Sequence, residues 1–80
     1  MDYTPLLNEM EKLDLHGKTY YESKILVSDF IEKNLDKLPV QIITGNSVEM
    51  NLIVSEIVKK FKLKCSPRTY YNLGCLIVNK

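Results

Sequence analysis

The chain carries one histidine, His16, inside the run "LDLHG" at residues 13–17. Asp14 stands two positions before it and Gly17 follows it directly. Side chains two apart on a strand share a face. Asp14 can therefore lie beside the imidazole and favour its charged form. Such a pair is suited to proton transfer. A second group, Thr44, Gly45, Asn46 and Ser47, precedes an apolar helical stripe. The first N–H groups of a helix attract anions, and Gly17 and Gly45 allow close backbone approach. Together the two groups suit acid–base chemistry on a phosphodiester. Each also has a plainer reading: a histidine at a strand end that bonds loop carbonyls, and a glycine turn that is merely tight.

Elements of a definite kind must position these residues. "TPLLNEMEK" reads as a short N-terminal helix, capped by Thr4 with Pro5 at its first position. Residues 12–16 alternate apolar and polar, as a strand does. Thr19 and Glu22 have capping-box spacing, and Val27, Phe30, Ile31 and Leu35 repeat at helical spacing. The first long helix is expected from about residue 20 to about 37, ended by Pro39. "VQIIT" at 40–44 reads as a strand. Met50, Ile53, Val54, Ile57, Val58 and Phe61 form the apolar stripe of a second helix, capped by either Asn46 or Ser47. "LKCSPRTYY" reads as an edge strand because of Pro67. Asn72–Gly74 reads as a turn, and "CLIV" at 75–78 as a central buried strand.

The order β-α-β-α-β-β predicts a two-layer α/β sandwich. Its mixed four-stranded sheet carries both main helices on one face, after the short N-terminal helix. Both strand-to-helix turns then fall at one sheet edge, where open α/β sheets bind ligands. His16, Gly17, Thr44, Gly45, Asn46 and Ser47 should converge there.

The 80 residues suffice for one domain, 1–80, with 1–11 as a helical extension, and 45% hydrophobic residues suit a packed core. Net charge is +1, but residues 1–56 carry −5 and residues 57–80 carry +6. A basic C-terminal third fits phosphate; lysines at a helix C-terminus also simply suit its dipole. The N-terminal stretch has neither a basic start nor a long apolar run, so no signal peptide is read there. No run is long enough to span a membrane. Cys65 and Cys75 are the only cysteines, which fits free thiols in a reducing cytoplasm. One histidine and scattered carboxylates define no metal site. No cofactor is required on this reading, and a weakly bound Mg²⁺ is compatible with it.

The run Leu13, Asp14, Leu15, His16, Gly17 before a helix, and a strand ending in Thr44–Gly45 28 residues later, resemble the small MutS-related (Smr) domain. That family combines a leucine–aspartate–leucine–histidine–glycine motif with a later His/Thr-Gly-x-Gly motif. The resemblance spans residues 12–80. It implies nicking or endonucleolytic cleavage of DNA or RNA, with Asp14 and His16 catalytic and Thr44 and Gly45 in the second motif. Partners would be nucleic acid and a repair or ribosome-associated protein. Two positions depart from the pattern: Ser47 replaces the second glycine, and "SVEMNLIV" lacks the early basic residue of the second helix. Lys18 and Arg68 are the candidates to supply that charge. Tyr20, Tyr21, Tyr70 and Tyr71 could stack on unpaired bases or pack as amphipathic surface. The alternatives to a nuclease are a binding module that has lost catalysis and a protein–protein adaptor of the same fold. Abundant Lys, Asn, Ile and Tyr suggest an AT-rich genome, and a minimal domain suits a bacterial protein or a viral one in a host cytoplasm.

Overall fold

The computed structural model describes residues 10–69 and 72–80, with backbone only at 68–69 and 72–73. It contains β1 (Lys12–Asp14), α1 (Tyr20–Lys33), β2 (Val40–Ile43), α2 (Val48–Lys60), β3 (Lys64–Thr69) and β4 (Asn72–Asn79). This is a small α/β fold with two helices and a four-stranded mixed sheet, in the expected order. Most of the expected N-terminal helix lies outside the described residues. Met10 and Glu11 are not helical, and Lys12 already begins β1.

Local chemistry sets the helix ends. At the start of α1, the Thr19 hydroxyl oxygen accepts the Glu22 N–H at 3.1 Å, and its O–H donates to Glu22 Oε1 at 3.0 Å. The capping box read from the sequence is therefore formed. The C-terminus differs from the expected one. α1 stops at Lys33, because the Asn34 side chain takes the Phe30 carbonyl that its backbone N–H would use in a continuing helix. Its side-chain amide donates to Phe30 O at 2.8 Å, while its backbone N–H turns to Ile31 O. An asparagine that satisfies the carbonyl its N–H would have used ends the helix well before Pro39.

Ser47 caps α2, its hydroxyl accepting the Met50 N–H at 3.1 Å. At the other end, Leu63 N–H bonds Val58 O and Lys62 N–H bonds Lys59 O, with Lys62 at φ +61°. These are the two bonds of a Schellman stop, with lysine in the position that favours glycine.

The strand order is β1-β2-β4-β3. β1 and β2 are parallel, and β4 is antiparallel to both β2 and β3. It follows that β1, β2 and β3 share one direction and β4 runs against them. The "CLIV" run is central and Pro67 lies on an edge strand, as their compositions required. The turn read at Asn72–Gly74 is instead strand: Asn72 already pairs with Thr69. β1 is shorter than expected, but its pairing extends by one bond, from Leu15 N–H to Ile43 O at 2.9 Å.

Strand alternation sends Val40, Ile42, Leu76 and Val78 into one core with Leu15. Val27 and Ile31 of α1 join them, with Met50, Val54, Ile57 and Val58 of α2. Full burial of one such side chain is worth about 1.5–3 kcal/mol. The two helices also pack on each other. This core fixes where β1 and β2 end, and therefore where the two glycine turns stand. On the sheet's other face, the buried Cys75 thiol donates to Gln41 Oε1 at 3.2 Å. Both cysteines are free thiols.

Candidate functional site

β1 and β2 are parallel and adjacent, so their carboxyl ends open on the same edge. The loop after β1 and the loop after β2 meet there. A Cβ placed on Gly45 would lie 3.9 Å from His16 Cδ2, an ordinary van der Waals contact. His16 is exposed, as are Gly17, Lys18, Gly45 and Asn46. The imidazole thus rests against the second loop with solvent access.

Leu13 and Leu15 turn inward, and Asp14 is exposed, as alternation required. The role of Asp14 differs from a direct contact with the ring. Its Oδ1 accepts the backbone N–H of His16 at 2.8 Å. A carboxylate bonded to the N–H two residues ahead is an Asx turn, and it fixes the path of the loop. Lys18 N–H closes the same loop on Leu15 O at 3.0 Å, with Gly17 at φ +78°.

The second loop is bent by two consecutive left-handed residues, Gly45 at φ +69° and Asn46 at φ +66°. Asparagine tolerates that region better than most residues. The loop is tied down by Gly74, a residue of β4 whose type and neighbours suggest a turn. Gly74 O, near the start of β4, accepts both Thr44 N–H at 2.7 Å and Gly45 N–H at 3.2 Å. A Cβ at Gly74 would stand 3.0 Å from Asn46 N and 3.0 Å from Asn46 Oδ1. The available signal was a glycine directly before the central strand, where a neighbouring loop needs room.

Thr44 is buried, and its hydroxyl has no hydrogen-bond partner among the described residues. Ser47 is half-buried; its oxygen takes the Met50 N–H, which leaves its own O–H to donate. The start of α2 adds the partial positive charge of its first turn, opposed there by Glu49. The backbone of Arg68 lies at the same end of the sheet, between Pro67, paired with Leu76, and Thr69, paired with Asn72. Its side chain is outside the described residues, as are Tyr70 and Tyr71. Tyr20 and Tyr21 open α1 and are 48% and 75% exposed. Among the described residues, no three His, Cys, Asp or Glu side chains could together hold a metal ion. No described helix is long and apolar enough to cross a membrane.

Compared with known proteins, the chain matches no family model, no curated protein and no solved structure.

The arrangement offers an exposed imidazole, a glycine that lets a ligand reach the backbone, a hydroxyl able to donate, and a helix start. An anion with a transferable proton nearby is the chemistry these groups accommodate.

Proposed function

We propose that this chain is an Smr-like domain that binds nucleic acid and cleaves or nicks its phosphodiester backbone. Right-handed crossovers would put α1 and α2 on one face of the sheet, giving a two-layer sandwich. The observation that carries the reading is the nearness of His16 to Gly45, where an added Cβ would stand 3.9 Å from the ring, at the edge where parallel strands end. His16 takes a proton from water, whose oxygen forms the new bond to phosphorus as the bond to the sugar oxygen breaks. A second water protonates the leaving sugar oxygen, and the imidazolium returns its proton to the resulting hydroxide. Asn46 and Ser47 hold the phosphate through backbone N–H groups and the serine O–H, with Gly17, Lys18 and Gly45 exposed around it; the Thr44 and Gly45 N–H groups, held by Gly74 O, fix the loop, and Arg68 is the candidate for a further positive charge. Asp14 acts through the backbone as a positioning residue for His16. A weakly bound Mg²⁺ is compatible with this chemistry. The setting is a bacterial or host cytoplasm, with a repair or ribosome-associated protein as a further partner.

One observation favours a second reading, a module that binds without cutting. Where the family pattern has its second glycine, Ser47 carries a side chain committed to capping α2. The test is incubation with end-labelled single- and double-stranded DNA and RNA. The nuclease reading expects products from wild type and none from His16→Ala at equal stability. Salt-sensitive binding without product would select the binding module; neither binding nor product would remove both.

A further inference from the structure

We propose that the groove between α2 and β3 is a second nucleic-acid contact, holding the backbone of a single strand as it leaves the candidate site; this rests on the reading above. The groove has a volume of about 670 Å³. Val58, Leu63 and the half-buried Cys65 give it an apolar floor; among the described residues Lys59 and Lys64 are its only charged lining residues, with Ser55 beside them. Both lysines are exposed, and among the described residues no carboxylate lines the groove. They belong to the C-terminal third that carries +6. Its charge is therefore partly gathered along one channel.

The topology joins this groove to the site. β3 runs parallel to β2, so its far end, at Thr69, lies at the edge where the two glycine loops meet. α2 starts from that edge and packs against β3. Cys65 lies four positions before Thr69, about 13 Å along a strand, and β3 stands three strand spacings from β1, about 14 Å across the sheet. A strand bound at His16 can therefore reach Lys59 and Lys64 within a few nucleotides. A positively charged groove that tracks one backbone is one of the two means by which single strands are held without sequence preference; the other, aromatic stacking, is replaced here by an aliphatic floor. An acidic peptide would instead extend the sheet at β3. Pro67 offers no N–H there and Lys64 is exposed on the edge, two features that oppose strand addition.

The experiment is fluorescence anisotropy with labelled deoxythymidine and uridine oligomers of about 12 nucleotides, titrated across salt. Wild type is compared with the Lys59→Ala/Lys64→Ala double variant, whose exposed lysines can be removed without touching the core. Losing two phosphate contacts should lower the slope of log affinity against log salt by about 1.4. Affinity for trimers, too short to span the distance, should be unchanged. The deoxythymidine and uridine arms separate DNA from RNA as the source of the strand. If wild type binds the longer oligomer and the double variant has the same slope, the groove proposal is overturned and the site reading stands. If wild type binds neither oligomer, both fall. Displacement of the oligomer by poly-glutamate at lower concentration than by unlabelled oligomer would assign the groove to an acidic protein segment and overturn the proposal.

Discussion

Replacing Gly74 by alanine puts a methyl carbon 3.0 Å from Asn46 N, 3.0 Å from Asn46 Oδ1 and 3.2 Å from Asn46 Cγ. The asparagine side chain can turn aside only at a rotamer cost of about 0.5–1.5 kcal/mol. Its backbone nitrogen cannot, because Gly45 is bonded to Gly74 O on one side and Ser47 caps α2 on the other. Relief therefore requires the loop to shift or its two bonds to Gly74 O to lengthen. Overpacking of this kind costs about 1–3 kcal/mol. The lower backbone entropy of alanine in a strand offsets about 0.5–1 kcal/mol. A net loss of about 1–2 kcal/mol is expected, read as a lower urea midpoint at unchanged m-value. In the Gly74→Ala background, Asn46→Gly removes two of the three crowded atoms. It should restore part of the loss, with a coupling of about 0.5–1 kcal/mol. Because any shift of this loop disturbs the placement of Gly45 beside His16, nucleic-acid binding should fall in the single variant and partly return in the double. A Gly74→Ala protein within about 0.5 kcal/mol of wild type, or zero coupling to Asn46, would refute the view that this glycine clamps the loop.

Asp14→Asn retains the side-chain oxygen that accepts the His16 N–H, so it should keep most activity, whereas Asp14→Ala should lower it; equal loss in both would assign the carboxylate's charge a direct role. Lys62→Gly should raise stability by about 1 kcal/mol, since Lys62 occupies a left-handed position at the end of α2; an unchanged thermal midpoint would count against strain there. Burial pushes the Cys65 thiol above its ordinary pKa, with a hydrogen bond to Ser55 opposing the shift. The unfolded thiol ionises near about 8.5, while the folded one keeps its proton to higher pH. The stability gained from the neutral buried thiol is thus full below that value and lost as pH rises through the folded pKa. Urea midpoints measured from neutral to alkaline pH should fall more steeply for wild type than for Cys65→Ala, and parallel curves would contradict this.

What could be read in advance was mostly what is settled within a few residues or by composition. Thr19 and Glu22 mark the start of α1 because both partners lie in one turn. The continuous apolar run at 75–78 marks β4 as central because only a strand covered on both sides needs it. The misreadings have physical sources of their own. Asn34 ends α1 through a side-chain bond that competes with helical geometry, a stronger local event than the more distant Pro39. Asn72 and Gly74 look like a turn from their types, yet the glycine answers to Asn46, far away in sequence, which needs the room. At the site, the meeting of His16 with Gly45 followed from parallel strands. The partner of Asp14 did not, because alternation gives the side of the sheet but cannot say whether a ring or a nearer N–H takes the oxygen. The buried Thr44 hydroxyl has no signature in the sequence.

Chemical rescue tests the role of the imidazole most directly. Cleavage of labelled single-stranded RNA and DNA would be followed for wild type and His16→Ala, each with and without added imidazole, after confirming equal urea midpoints. The account predicts product from wild type, none from the variant alone, and renewed cleavage by the variant when imidazole fills the space beside Gly45. Cleavage by the variant at the wild-type rate without imidazole would contradict it.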